Sequence, residues 1–167
     1  MYDFKPDAAQ PAAERYRDLV AAADALTAGE PDAVANMANV AALLWEFLPD
    51  LNWAGFYRIA PAKTGDAKEL VLGPFVGRPA CIRIPLGKGV CGTAAESRET
   101  QLVADVHAFP GHIACDAASA SELVVPVTDA DGAVIAVIDL DSPTPARFTE
   151  EDAAGIEALA AMLSARI

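Results

Sequence analysis

The sequence predicts an α+β domain with a mostly antiparallel sheet of about six strands flanked by helices. Apolar residues recur at helical spacing near both ends of the chain, whereas the middle contains short apolar runs separated by Gly, Pro and Asp. Successive runs joined by tight turns form hairpins, so the sheet that they build is antiparallel. A chain of 167 residues, 53% of them hydrophobic, suits one such domain.

Two helices are expected in the first third of the chain. Residues 1–10 indicate a loosely held tail, and the domain is expected to span 11–167. The first helix should start at residue 11 and stop near the glycine at 29, and the second should run over 31–48, where a proline follows. Helical spacing predicts one apolar stripe on the second helix: Val34, Met37, Ala41, Leu44, Trp45 and Leu48.

Short strands and one short helix are expected in the middle of the chain. Two glycines, Gly87 and Gly89, permit a sharp turn into a short helix, and Cys91 should lie near its first turn. The period of two places alternate residues of each strand on one face. The strands of this part are expected at 52–59, 69–76, 80–84 and 100–103.

The last third should contribute a hairpin and a long helix. Residues 104–121 are rich in small residues and indicate a long loop, which in a compact domain is usually functional. Strands are expected at 121–128 and 132–141, joined by an Asp-Ala-Asp-Gly turn. Thr149 should cap a final helix whose first turn is acidic.

The charge and the hydropathy pattern exclude several classes of partner. With 24 acidic and 12 basic residues, the net charge is −12, which disfavours binding to a phosphate backbone. No apolar run approaches the roughly 20 residues that span a bilayer. The first residues lack a basic segment followed by an apolar one, so no secretory signal is expected. Three cysteines add to the expectation of a cytoplasmic location.

The three cysteines, Cys81, Cys91 and Cys115, are the first candidates for chemistry. Free cysteine is usually a small buried hydrophobe, and Cys81 fits that role best. Cys91 lies at a predicted helix start, where the dipole favours a thiolate, and Cys115 lies in the long loop. A site completed by His107 and His112 is the metal-binding alternative, although the chain has no C-x-x-C pair. We therefore expect one thiol redox site and no metal.

Three carboxylates and two aromatic residues are expected to form a second part of this site. Asp139 and Asp141 lie on one face of the last strand, and a simple hairpin places Glu122 opposite Asp139. Clustered acids in an apolar setting repel each other, which raises at least one pKa. Trp53 and Tyr57 share a face of the first strand. A solvated strand end and ordinary core packing are the alternative interpretations.

Several longer motifs occur together in this sequence: Asn52-Trp-Ala-Gly-Phe-Tyr57, Leu72-Gly-Pro-Phe-Val-Gly77, Cys81-x-x-Ile-Pro-x-Gly-Lys-Gly-Val-Cys91-Gly-Thr-Ala94, Pro110-Gly-His-Ile-Ala-Cys115-Asp-Ala-Ala-Ser119, Ser121-Glu122 and Asp139-Leu-Asp-Ser142. They resemble those of one family, the free methionine-R-sulfoxide reductases, which are small stand-alone GAF-domain enzymes. The resemblance covers roughly residues 30–165, and its three-cysteine pattern is its most specific part.

The resemblance implies reduction of free L-methionine-(R)-S-oxide to methionine, a GAF fold and a homodimer. It implies recycling by thioredoxin, and the cysteine chemistry requires no cofactor. It also implies site residues: the redox-active cysteines Cys81, Cys91 and Cys115, the acidic substrate-binding set Glu122, Asp139 and Asp141, and the aromatic pocket Trp53 and Tyr57.

A mechanism follows as a hypothesis. Cys115 attacks the sulfoxide sulfur, Glu122 donates a proton to the sulfoxide oxygen, and Cys81 or Cys91 resolves the sulfenic acid to a disulfide. The predicted helix start would make Cys91 the better thiolate, so either Cys91 or Cys115 remains a candidate attacker. The rival from another class is a GAF sensor module that binds a small ligand without turnover.

Overall fold

One antiparallel sheet of six strands forms the centre of the molecule. The computed structural model describes residues 10–111 and 117–167. The strand order is β3-β2-β1-β6-β5-β4, and all neighbouring strands are antiparallel. The predicted α+β class is confirmed. The strands are β1 (Trp53–Pro61), β2 (Lys68–Gly77), β3 (Arg83–Pro85), β4 (Gln101–Val103), β5 (Ser121–Thr128) and β6 (Val134–Ser142).

Four α-helices cover the two faces of this sheet. They are α1 (Ala12–Thr27), α2 (Ala33–Phe47), α3 (Gly89–Ser97) and α4 (Glu150–Leu163). Helices α2 and α4 pack on one face with α1 behind them, whereas α3 contacts β5 and β6 on the other. The predicted long loop contains one turn of 3-10 helix, Val106–Ala108. The predicted tail, residues 1–10, lies almost wholly outside the described residues.

The alternation of side chains along β1 and β6 separates two hydrophobic cores. Phe56 and Ile138 point into the core beneath α1, α2 and α4. Trp53, Tyr57 and Val137 point to the opposite face and pack with α3. Because successive strand residues face opposite sides, the second face collects the odd-numbered residues of both strands. The candidate site lies on this second face.

Strand β3 is shorter than the sequence predicted, because it begins at Arg83 rather than at residue 80. Its last ladder bond to β2 runs from the Leu72 N–H to the Ile82 carbonyl. The next donor in this register would be the nitrogen of Pro74, which carries no hydrogen. Cys81 therefore lies outside the strand and is half-buried.

Helix α4 is fixed by its first turn. Thr149 and Asp152 form a reciprocal capping box, as the predicted N-cap implies. The Tyr16 hydroxyl of α1 donates to Asp152 Oδ1 at 2.7 Å, and both residues are buried. A Cβ at Gly155 would lie 2.2 Å from the Tyr16 ring, so only glycine lets α1 and α4 approach this closely. This contact lies behind the sheet, away from the second face.

Candidate active site

The three predicted carboxylates lie together on the second face of the sheet. Asp141 of β6 faces Trp53 of β1 on one side and Glu122 of β5 on the other. Two residues before Asp141 on β6, Asp139 faces Gly55 of β1. Directly opposed residues point to the same side of a sheet. Glu122 and Asp139 are buried, whereas Asp141 is half-buried, so the acids extend from the core to its rim.

The predicted register of this hairpin is wrong by two residues, since Glu122 faces Asp141 and not Asp139. The turn is wider than a simple hairpin: the Asp129 side chain accepts hydrogen bonds from the N–H groups of Asp131 and Ala133. An irregularity of the ladder at Val127 and Thr128 adds a further one-residue offset. Two offsets of one residue restore the original face, so the acids still cluster.

Cys91 joins the acids from the opposite direction. It is the third residue of α3, as the sequence predicted, and only 4% of its surface is exposed. Its thiol donates to Glu122 Oε1, with Sγ and the oxygen 3.8 Å apart. Desolvation by burial, followed by the negative charges of Asp139 and Glu122, raises the pKa of this thiol well above its usual range. The predicted thiolate preference of Cys91 is therefore wrong, because burial and nearby acids outweigh the helix dipole.

Glu122 and Asp139 are neighbouring buried acids. Burial raises the pKa of Glu122, and the charges of Asp139 and Asp141 raise it further. Burial and the charge of Asp141 likewise raise the pKa of Asp139 well above its usual range. The prediction that at least one pKa in the cluster is raised is confirmed. Asp139 Oδ1 has no hydrogen-bond partner among the described residues, so one acceptor of the cluster remains available.

An aromatic wall borders the acids on the β1 side. The rings of Trp53 and Tyr57 stack with centroids 5.8 Å apart, and Phe75 of β2 stacks on Trp53 at 5.2 Å. Both predicted aromatic residues are buried, and the Trp53 Nε1–H donates to the Arg78 carbonyl. Phe75 was not among the predicted site residues. The sequence feature that could have indicated Phe75 is its cross-strand partner, Gly55. A Cβ added at residue 55 would lie 2.4 Å from the Cβ of Phe75, so this close approach requires a glycine.

A second glycine, Gly92, sets the position of Cys91. Its N–H and carbonyl bond to Lys88 and Gly87, which closes the turn before α3. A Cβ at Gly92 would lie 2.4 Å from the Pro85 carbonyl oxygen. The helix can therefore sit this close to the end of β3 only because residue 92 has no side chain. That approach brings Cys91 against the sheet.

The other predicted cysteines and histidines are not part of this buried cluster as far as the described residues show. Cys81 is disulfide-bonded, whereas Cys91 is a free thiol. Cys115 and His112 lie outside the described residues. His107 lies in the 3-10 turn, where its N–H bonds to Asp105. The group of described residues that could ligate a metal contains no histidine; it consists of Cys91, Glu122 and Asp139.

None of the described helices is both long enough and apolar enough to cross a bilayer.

Comparisons with known proteins agree with the geometry. The GAF domain model matches residues 18–167. Free methionine-R-sulfoxide reductase from Escherichia coli is 50% identical over 150 residues, which are 90% of this chain and 87% of that protein. The Saccharomyces cerevisiae enzyme of the same name is 41% identical over 155 residues, 90% of this chain and 84% of the relative.

A solved structure extends the likeness to three dimensions. Free methionine-R-sulfoxide reductase from Neisseria meningitidis, solved in complex with its substrate, superimposes with a TM-score of 0.89. The two chains are 43% identical, and the match covers 99% of this chain and 95% of that one. Fold, buried acid cluster and close relatives lead to one conclusion: this chain belongs to the GAF-domain family of free methionine-R-sulfoxide reductases.

Proposed function

We propose that this protein reduces free L-methionine-(R)-S-oxide to L-methionine by cysteine chemistry and that thioredoxin recycles it. One observation carries the proposal: a thiol, two buried acids with raised pKa values and an aromatic wall converge on one face of the sheet. A sulfoxide reductase needs these groups, because it must hold a proton, an electron-rich sulfur and an apolar methyl group. The named relatives support the same reaction.

The chemical step transfers the sulfoxide oxygen to a cysteine. The thiolate of Cys115 attacks the sulfoxide sulfur while the protonated carboxyl of Glu122 donates to the oxygen. This attack forms a bond between the Cys115 sulfur and the substrate sulfur. The protonated oxygen then moves to the Cys115 sulfur as the substrate's sulfur–oxygen bond and the new sulfur–sulfur bond break. Methionine leaves with the electron pair on its sulfur, and Cys115 carries the oxygen as a sulfenic acid. The raised pKa of Glu122 supports this role, because it keeps the carboxyl protonated under conditions that would ionise an exposed glutamate.

The recycling step forms a disulfide and releases water. A second thiol attacks the sulfenic sulfur of Cys115, and an external dithiol such as thioredoxin then reduces the disulfide by exchange. Cys81 is the preferred resolving residue because it already takes part in a disulfide. Cys91 is a poor attacker because burial and nearby acids keep it protonated, but it can serve as a second resolving thiol.

Binding of the free amino acid follows from the remaining charges. Asp141 and Asp139 can hold an α-ammonium group while the side chain of the substrate lies against Trp53 and Tyr57. A peptide-bound residue has an amide nitrogen in place of the ammonium and would leave buried Asp139 and half-buried Asp141 without a charged partner. The free amino acid is therefore the preferred substrate.

The test is NADPH consumption in a coupled thioredoxin assay, with EDTA present throughout. We expect turnover of the R epimer, none of the S epimer, and loss of turnover in Cys115→Ser. A peptidyl methionine sulfoxide serves as the substrate control and should react far more slowly. Absence of turnover with either epimer, in fully reduced protein, would favour a sensor module that only binds its ligand.

The proposal includes the homodimer that the family resemblance implies. Sedimentation of the reduced protein tests it directly, since the chain has a mass of 17.3 kDa. A species of twice that mass is expected at assay concentrations. A single species at the chain mass would show that the catalytic unit is a monomer.

A further inference from the structure

Cys91, Glu122 and Asp139 together form a set of potential metal ligands, which the proposed reduction does not require. One ligand atom from each, a sulfur and two carboxylate oxygens, lies within 4.8 Å of the others. All three residues are buried, with exposed fractions of 4%, 6% and 5%. Three side chains from α3, β5 and β6 thus present a mixed set of sulfur and oxygen ligand atoms at one buried position.

One oxygen of this group of ligands has no hydrogen-bond partner among the described residues. This atom is the buried Asp139 Oδ1. A buried polar oxygen without a partner is costly, so native structures usually satisfy it with a protein group, water or an ion. Glu122 interacts with both Cys91 and Asp139, so the three side chains form one buried group.

The spacing fits a tetrahedral zinc ion. With zinc–sulfur and zinc–oxygen bonds of about 2.3 and 2.1 Å, two such ligands on one ion are about 3.6 Å apart. Cys91 Sγ and Glu122 Oε1 are already 3.8 Å apart. An Asp139 carboxylate oxygen lies within 4.8 Å of both atoms, about 1 Å more than this spacing at most. Three protein ligands leave the fourth position for water or a small anion.

We propose that the reduced protein binds one thiophilic divalent cation, of the Zn²⁺ type, through Cys91, Glu122 and Asp139. Coordination releases to the solvent the thiol proton of Cys91 and the protons held by the Glu122 and Asp139 carboxyl groups, and it replaces the Cys91–Glu122 hydrogen bond by two bonds to the ion. Resting on the proposed function, a second consequence is that the ion occupies the acids that receive the substrate. Zinc is then a reversible competitive inhibitor rather than a cofactor.

Charge and ligand type define which ions compete. A thiolate with two carboxylates carries three negative charges beside Asp141, and a divalent cation compensates two of them. Thiolate ligands favour Zn²⁺ and its close analogues, whereas Mg²⁺ and Ca²⁺ prefer oxygen ligands in larger shells. Oxidation of Cys91 removes the sulfur ligand, so the site exists only while Cys91 is a free thiol, as it is in this structure.

Cobalt binding tests the site without reference to turnover. The double variant Cys81→Ser, Cys115→Ser retains Cys91 as the sole cysteine. Titrated with Co²⁺ after reduction, it should bind one ion per chain with thiolate-to-cobalt absorption in the near ultraviolet. Zn²⁺ should displace that signal, and Mg²⁺ should not. Absence of the band in this variant would overturn the proposal.

Two further variants guard against a loss that merely reflects misfolding. Cys91→Ser in the wild-type background should lose the band while Cys81 and Cys115 remain, and its circular dichroism should be unchanged. Asp139→Asn should weaken Co²⁺ binding by at least the roughly 10–100-fold that loss of an outer partner costs. A band that persists in Cys91→Ser would place the metal on the other thiols and would refute the assignment.

The inhibition arm uses wild-type enzyme and separates the two proposals. Zn²⁺ should raise the apparent KM for the sulfoxide without changing kcat, and EDTA should reverse the effect. Unchanged KM in the presence of bound Zn²⁺ would overturn the competitive mode. If cobalt binds but no sulfoxide is turned over, the metal site stands and the proposed function fails; turnover without cobalt binding gives the reverse result.

Discussion

The thiol of Cys91 and the carboxylate of Glu122 are hydrogen-bonded in the core, with Sγ 3.8 Å from Oε1. The bond joins helix α3 on one face of the sheet to β5, the strand next to the edge strand β4. Burial and the charges of Asp139 and Glu122 raise the pKa of the Cys91 thiol, while the hydrogen bond from Cys91 lowers the pKa of Glu122 against the larger effect of burial. Acid and thiol therefore respond together to any change in charge at this site.

The first prediction concerns the pH dependence of turnover. Burial and the neighbouring acids raise the pKa of Glu122, so its protonated form persists above the usual range and is lost as pH rises through the raised value. We expect kcat/KM to fall on that alkaline side, because the proton donor disappears.

Glu122→Gln is the matched variant, because its amide can still donate a hydrogen bond but does not titrate. It should be slower than wild type, and its alkaline fall should be absent. Rates are measured with free methionine-R-sulfoxide from neutral to alkaline pH. An alkaline limb of the same shape in the variant would assign the titration to another group.

The second prediction concerns the stability cost of Asp139. Its pKa in the folded protein is raised, so folding is favoured below the unfolded value and loses stability as pH rises through the folded one. Each unit of the shift corresponds to about 1.4 kcal/mol at high pH. Asp139→Asn should therefore raise the free energy of unfolding at neutral pH.

Urea denaturation at mildly acidic and at neutral pH measures this effect. The variant should gain more stability at the higher pH, with binding of the substrate weakened. Asp131→Asn is the control: this residue is exposed, and its replacement should change stability by less than about 0.5 kcal/mol. A lower free energy of unfolding in Asp139→Asn than in wild type at neutral pH, with Asp131→Asn unchanged, would show instead that Asp139 stabilises the fold.

The third prediction uses the close approach at Gly92. In Gly92→Ala the new Cβ would meet the Pro85 carbonyl oxygen at 2.4 Å, so α3 must move away from β3. We expect a loss of about 1–3 kcal/mol in unfolding free energy. Because Cys91 moves with the helix, the coupled activity should fall as well.

Gly132→Ala is the control that separates the cost of backbone strain from the cost of displacing α3. Gly132 has a φ of +79° in the β5–β6 turn, and nothing lies within 4 Å of its added Cβ. This variant should lose roughly 1–2 kcal/mol through backbone strain alone and should keep its kcat/KM. If Gly92→Ala also retained full kcat/KM, the position of α3 would not matter for turnover.

The fourth prediction concerns the distant bond between Tyr16 and Asp152. Burial opposes the charge of Asp152, but hydrogen bonds from Tyr16 and Thr149 outweigh it and lower the pKa of the carboxyl. The corresponding stability is present above the unfolded pKa and is lost as pH falls through the folded one. Tyr16→Phe should cost about 2 kcal/mol at neutral pH.

Thermal or urea unfolding across acidic pH checks this. The difference between Tyr16→Phe and wild type should shrink as Asp152 is protonated, and kcat/KM should be unchanged because the bond lies behind the sheet. A stability difference that is constant across pH would mean that only packing of the ring was altered.

Local pattern predicted most of the fold. Tight turns, proline and glycine punctuation, and the acidic first turn of α4 are written in neighbouring residues, so helices and strands were placed within a few positions. The face shared by Glu122, Asp139 and Asp141 was also predictable, because face depends only on odd or even spacing. Register was not, because the wide turn at Asp129 and the ladder offset at Val127 depend on hydrogen bonds that spacing does not specify.

Properties that depend on the surroundings were harder to predict. Val34 and Trp45 fit the predicted apolar stripe of α2, yet they are 52% and 39% exposed, because Met37, Val40 and Leu44 face the sheet. The protonation of Cys91 was mispredicted for a similar reason. A helix start favours a thiolate locally, whereas the opposing acids arrive from strands more than thirty residues away.

The central pairing of β1 with β6 ties the chemistry of the site to the order of folding. About seventy residues separate these strands, so their pairing closes a long loop and is expected to form late. Until it does, the nascent chain carries Cys91, Glu122 and Asp139 as ordinary hydrated groups. The raised pKa values of these groups are thus acquired in one cooperative step. A ribosome-bound fragment that ends before Val134 has none of these shifts.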